Sequence, residues 1–283
     1  ASARTADSPG ASPPSVSPPQ PSPDDFALLD AKVTEHDQTK VESGSKYRVR
    51  LSGMALINVM STRGSVDNLD APFKAMDRAA GESGGTFGAT ARQSFMKLEL
   101  FGPRVAGAAT RGEVSFDFFG GFPYSYESTT EGLMRLRTAS FTFDWPKTTV
   151  LIGQEAPFFS PLSPTSLATV GYPALSGTGN LWVWTPQARV ERRFDISDTS
   201  KFIVQGGILD PLTWEYPSNT YYRLPLAGER SRVPAFASRI GWQGMAGDRQ
   251  ASIGTGAYYS RQNWKYGRMV DGWAGTADWD LPI

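Results

Sequence analysis

From residue 47 onward the chain alternates polar and apolar residues with a period of two, in stretches whose connectors run long, short, long, short. About thirty residues follow the stretch at 47–59, and a tight link at 102–108 comes next. Then 120–131 is long and 145–147 short, 155–181 long and 195–199 short, 210–232 long and 244–248 short, with a moderate link at 260–267. A meander of antiparallel strands puts its odd connections at one end and its even connections at the other. Unequal lengths kept through these connections mean two chemically different ends. A soluble sandwich has no reason to maintain that difference, whereas a barrel crossing a membrane does.

The alternation is clearest at 111–118. There Arg111, Glu113, Ser115 and Asp117 lie on one face, and Gly112, Val114, Phe116 and Phe118 on the other. At 185–194, Gln187, Arg189, Glu191 and Arg193 oppose Ala188, Val190 and Phe194, with Arg192 breaking the apolar side. At 93–101, Gln93, Lys97 and Glu99 oppose Ser94, Met96, Leu98 and Leu100. Stretches 201–209, 235–243, 251–259 and 270–281 alternate more weakly, and 47–59 is imperfect because Met54 and Leu56 share the face of Arg48 and Arg50. About ten strands result.

Alternation alone does not say whether the polar face meets outside water or an enclosed wet lumen. Connector asymmetry favours the lumen. So do aromatic residues near strand ends (Tyr47, Phe101, Trp145, Trp182, Trp184, Phe194, Trp242, Tyr258, Tyr259 and Trp279), where an interfacial girdle would sit. The expected fold is all-β: an antiparallel up-and-down transmembrane β-barrel over residues 45–283.

Composition narrows the functions. With 28 basic and 28 acidic residues the net charge is zero, so no global field draws the chain to nucleic acid, and no nucleic-acid partner is expected. No apolar run approaches the roughly eighteen residues of a spanning helix. Cysteine is absent and the single histidine, His36, precedes the barrel, which removes thiol chemistry, Cys/His metal centres and a histidine-based triad. Glu113 and Asp117 lie four residues apart, roughly 13 Å along a strand and too far for paired-carboxylate hydrolysis. The glycine-dense stretch at 81–88 lacks the Lys-Ser/Thr of a phosphate loop. Asp67, Asn68 and Asp70 read as solvated turn residues in a loop, 61–88, expected to be external and mobile. An enzyme, a cofactor and a metal site are therefore not expected.

Residues 1–23 are rich in Pro, Ser and Ala and read as a disordered leader. At 24–44, Asp24 and Asp25 precede Phe26, Leu29 and Val33 at a/d spacing, a short helix that either tethers or forms a brief coiled coil before the pattern fails at His36 and Lys40.

Several stretches resemble bacterial outer-membrane porins of the DcaP-like family. These are residues 90–100 (TARQSFMKLEL), 113–121 (EVSFDFFGG), 136–139 (LRTA) and 150–154 (VLIGQ), within a match over about 46–210. The resemblance implies a homotrimer in the cell outer membrane, in contact with outer-membrane lipid. It also implies passage of small hydrophilic solutes, among them small anions such as dicarboxylates, and a periplasmic coil before the barrel. Such porins have more strands per chain and end on an aromatic residue, whereas this chain ends Asp280, Leu281, Pro282, Ile283; it reads as a piece of a larger barrel, the alternative being a complete ten-stranded one.

A porin needs no catalysis; fixed charges at a water-filled constriction set its selectivity. The candidate pore-lining residues are Arg48, Arg50, Arg92, Lys97, Glu99, Arg111, Glu113, Asp117, Arg135, Arg137, Arg189, Glu191, Arg193 and Arg239. They either line a pore or pair across strands to hold the wall. The loop at 155–181 is the constriction candidate: its early prolines stiffen it, Glu155 opens it, and Phe158, Phe159 and Leu162 are expected to anchor it on the inner wall. The competing class is a secreted or surface all-β carbohydrate-binding protein. It would gather Trp182, Trp184, Trp264 and Trp273 in one concave aromatic cluster.

Overall fold

The computed structural model describes residues 47–122, 132–174, 176, 181–213, 215, 223–247 and 249–281. The leader and helix expected before residue 45 lie outside them. The strands are β1 (Arg48–Met54), β2 (Asn58–Arg63), β3 (Ser65–Val66), β4 (Ala75–Met76), β5 (Gly85–Thr90), β6 (Phe95–Phe101) and β7 (Ala109–Asp117). After them come β8 (Arg135–Asp144), β9 (Thr148–Glu155), β10 (Thr185–Ser197), β11 (Ser200–Leu209), β12 (Ala235–Ala246), β13 (Arg249–Asn263) and β14 (Met269–Asp280). One 3₁₀ turn, Glu229–Ser231, is the only helix among the described residues. No described helix is long and apolar enough to cross a membrane, which says nothing of strands.

Ten strands form one antiparallel sheet in the order β1-β6-β7-β8-β9-β10-β11-β12-β13-β14, an up-and-down meander interrupted only between its first two members. The stretch at 47–59 is not one strand. The main sheet releases the chain after Met54, and Asn58–Arg63 pairs instead with β5 in a separate hairpin, while β3 and β4 form a smaller one. The loop expected to be mobile is thus built of two ladders.

Asp67 braces this loop: its Oδ1 accepts the backbone N–H groups of Phe73 (3.0 Å) and Lys74 (3.2 Å). The Lys74 bond is the largest effect and, together with the Phe73 bond, holds its carboxyl below the usual carboxylate range, outweighing the opposing effect of desolvation. A depressed folded value means that this bracing is present above the unfolded pKa of about 4 and is lost as pH falls through the folded value. The Phe73 and Lys74 amides should therefore stay protected from hydrogen exchange at mildly acidic pH and lose that protection only in stronger acid. Equal protection in an Asp67→Ala variant would show that the carboxylate does not brace the turn.

The register separates two faces. One ladder row crosses all ten strands through Val49, Leu100, Gly112, Phe141, Ile152, Ala188, Ile208, Phe236, Tyr259 and Trp273. It is apolar throughout, and its large side chains are mostly exposed: Ile152, Phe236 and Trp273 lie bare, the last 82% exposed. A second row, Phe194, Phe202, Trp242, Ile253 and Trp279, carries aromatics on the same face toward the short turns. On the opposite face Glu113, Ser115 and Asp117 are buried, whereas Val114 between them is 37% exposed. A water-soluble sheet buries its apolar face, and this one buries its polar face. That inversion fits a wall with lipid outside and a polar interior.

The hairpin turns step along the sheet. Arg111, Thr142, Leu151, Arg189, Gly207, Ala237 and Tyr258 share one row. In the β6–β7 hairpin this row is the last pair before the turn, Phe101 with Arg111. In β12–β13 the last pair is Ala246 with Arg249, nine residues beyond Ala237 (246 minus 237). Accumulated stagger of this kind is what inclined barrel strands require. Arg192, which interrupts the apolar side of β10, donates from Nη1 to Thr148 Oγ1 (2.6 Å) at the foot of the β8–β9 turn. Near such an end a lipid-side arginine costs about 0–1 kcal/mol, against ~2–4 at mid-membrane.

Candidate pore-lining face and inward loop

The polar face is covered by the loop between β9 and β10, residues 156–184. Near its start, Phe158 and Phe159 are buried against Leu209, Ala235 and Ala237, in a cluster joined by Tyr258. Phe159 stacks on Tyr258 with ring centroids 5.0 Å apart, and its carbonyl accepts the Thr276 hydroxyl of β14. Gly256 makes this approach possible, since a Cβ there would stand 2.3 Å from the Phe159 oxygen. Leu162, expected as a third anchor, is 43% exposed and lies outside the buried cluster that seats Phe158 and Phe159.

Farther along, the loop is tied to the other side of the sheet. Gln93, fully buried, donates from Nε2 to the carbonyls of Asp70 (2.8 Å) and Ala168 (3.1 Å) and accepts the Gly171 N–H at Oε1 (2.8 Å). Asn58 Nδ2 donates to the Leu167 carbonyl at 3.1 Å. Gln187 on β10 clamps the entrance through the Glu155 and Ala156 carbonyls at 3.0 and 2.9 Å. Glu155 is thus the last residue of β9, and its Oε1 only accepts the next N–H, from Ala156. Gln93 was visible in the sequence as a polar-face residue, but nothing local marked it as the loop's tether.

Asp117 is the deepest acid. It is fully buried and accepts Arg135 Nε at 3.0 Å and Nη2 at 2.5 Å, with Arg137 Nη1 at 3.9 Å. Arg135 also donates to the Gly171 carbonyl (2.6 Å) and lies over the rings of Trp184, Tyr172 and Phe119 at 4.9–5.4 Å. Arg137 lies between Trp184 (4.8 Å) and Phe95 (5.2 Å). Most other candidates pair. Glu99 and Glu113 stand directly opposite each other across β6–β7, a repulsive arrangement. Cations relieve it: Lys97 meets Glu113 at 2.9 Å, Arg111 reaches Glu99 at 3.5 Å, and Arg50 approaches Glu99 at 3.8 Å. Arg193 joins Asp144 (2.8 Å) and Glu191 (3.2 Å), and Arg239 forks onto Asp278. Arg48 lies over Phe101.

Arg189 differs. Among the described residues it makes no ion pair and no hydrogen bond, and its guanidinium lies over Phe158, 5.6 Å from the ring centroid. Arg92 also departs from expectation. It is buried under the first loop in a forked pair with Asp70, and its guanidinium lies 3.9 Å from the Phe119 ring centroid, so it holds the loop and does not line the face. The same pair explains why Asp70 is no solvated turn residue.

The four tryptophans do not gather. Trp182 and Trp184 pack on each other and, through Tyr172, on Phe119 inside the loop. Trp273 stands bare on the apolar face, and Trp264 is exposed at the β13–β14 turn. Trp182, Trp184 and Tyr258 are therefore internal, not part of a girdle.

No protein-family model and no curated protein matches the chain. Among solved structures it is similar to the outer-membrane channel DcaP of Acinetobacter baumannii, with TM-score 0.57 and 18% identity over 87% of this chain. The fold is that of an outer-membrane β-barrel. The chain spans 62% of that channel's length. A loop-deletion form of OmpT, an outer-membrane protein of Vibrio cholerae, aligns at TM-score 0.34 and 11% identity over 84% of this chain and 78% of its own.

Proposed function

We propose that this protein is a porin of the bacterial outer membrane, passing small hydrophilic solutes by passive diffusion with a preference for anions. In this reading it carries out no catalysis and works as a homotrimer, the last resting on the sequence resemblance alone. The observation that carries the proposal is the loop lying across the buried polar face, pinned by Phe159 to β13–β14 on one side and by Gln93 next to β6 on the other. A loop so held narrows a wet interior without closing it. Opposed acids and bases along the strands cancel in pairs. Among the described residues Arg189 makes no ion pair, so positive charge remains at the constriction. Guanidinium binds carboxylate and phosphate in forked fashion, which favours anions there. Trp264 lies exposed at a turn, apart from the packed Trp182–Trp184 pair, which weighs against one concave aromatic platform for sugar.

Planar-bilayer recording under a salt gradient tests this. The protein should open stable channels whose reversal potential reports anion preference. An Arg189→Gln variant should move that potential toward the non-selective value. Absence of open channels would remove the porin reading, and an unmoved potential would assign Arg189 to the wall.

A further inference from the structure

Within the loop itself lies a cavity of about 350 Å³. Every residue lining it belongs to the loop except one, Arg137 of β8. Two polar atoms among its lining residues are buried with no hydrogen-bond partner: Arg137 Nη1 and Thr169 Oγ1. Neither is explained by the packing around it. The Arg137 guanidinium donates no hydrogen bond to any described residue, and Asp117 at 3.9 Å is too far to take one. The hydroxyls of Ser160 and Ser163 line the same cavity and are not engaged with described residues. Burying donors without acceptors costs roughly 1–3 kcal/mol each, more for a charged group. A folded loop that keeps two of them around one void is built for an acceptor.

We propose that this cavity is a binding site for a small oxyanion, held by Arg137 and Thr169 with support from the serine hydroxyls. Guanidinium and hydroxyl together offer only donors that match a phosphate, sulfate or carboxylate oxygen set. The anion is a strut: it ties the loop to β8 at a point where the protein supplies no direct hydrogen bond. It is distinct from solute in transit, because the cavity is lined by the loop's own residues and Arg137. The site is independent of conduction, since it can be filled in a protein that passes no current.

Trp182 and Trp184 line the cavity and report on it. The full chain, refolded in detergent micelles, would be titrated with sodium phosphate and separately with sodium acetate at constant ionic strength set by chloride, following tryptophan fluorescence. A saturable change is expected with at least one of them; response to phosphate alone, to acetate alone or to both tells which oxyanion geometry fits. Thr169→Val, nearly isosteric, should weaken the response about tenfold, and Arg137→Gln by more. Arg189→Gln, outside the cavity, should leave it unchanged. No saturable response in the unaltered protein would mean that water alone fills the cavity and would overturn the proposal. So would a Thr169→Val variant that binds as tightly as the parent, or equal weakening by Arg189→Gln. Should Arg137→Gln fail to fold, Thr169→Val and the parent titration decide the matter.

Discussion

Replacing Asp117 with Ala should destabilise the barrel by about 3–5 kcal/mol, the largest effect of any single change in the wall. The carboxylate is fully buried and is the shared partner of two arginines, one of them forked onto it, and its Oδ1 also accepts the Phe119 N–H at 3.0 Å. Removing it leaves two like charges side by side, both largely withdrawn from water and facing aromatic rings. It also frees the Gly171 segment, which Arg135 holds by its carbonyl. Urea unfolding in micelles would give the number. Asp117→Asn should recover only a fraction, because an amide offers one acceptor oxygen and no charge. A loss below about 1 kcal/mol for the alanine variant would mean that the arginines find water or each other's solvent shell, and that the buried acid is dispensable.

The second large effect is on the loop. Phe159→Ala should loosen the docked loop by about 3 kcal/mol, more than a hundredfold in the ratio of docked to undocked states. It deletes a buried ring stacked on Tyr258 and weakens the seat on Leu209 and Ala237. Gly256→Ala attacks the same seat from the wall side, since its new methyl would collide with the Phe159 carbonyl. Both variants should give noisier single channels of larger mean conductance, with little change in the stability of the wall. Leu162→Ala, at an exposed position, should change neither. If Phe159→Ala and Gly256→Ala conduct like the parent, the loop does not narrow the passage. The two substitutions share one contact, so their effects should not add.

Much of this architecture was legible in the sequence because its signal is local. Period-two alternation places Glu113 and Val114 on opposite faces whatever surrounds them, and the rhythm of connectors follows from chain order alone. Even Arg192 announced itself as an exception. What was not legible depends on partners far along the chain. Arg92 looks like any cation beside a strand until Asp70, 22 residues earlier, returns to pair with it. The apolar run Met54–Ala55–Leu56–Ile57 breaks the alternation but suits a strand as well as a connection, so it does not by itself say that the main sheet ends at Met54. Trp182 and Trp184 precede β10 closely, where inward and outward aromatics have the same spacing, and only the packing of Tyr172 decides the matter. Leu162 carries the same apolar signal as Phe158 and Phe159, and only the packing separates them, the two rings being buried in the cluster and Leu162 exposed.

The stepped hairpins have a consequence for the electrostatics. Arg111 and Arg189 are row-mates, yet Arg111 stands at the foot of its hairpin while Arg189 is nine residues from Asp198 in its own turn (198 minus 189). Neighbours across the ladder therefore lie at different depths, and a row that looks level on paper winds upward like a thread on a screw. In a conducting barrel an ion would therefore meet Arg111 and Arg189 at different depths and not together as a collar.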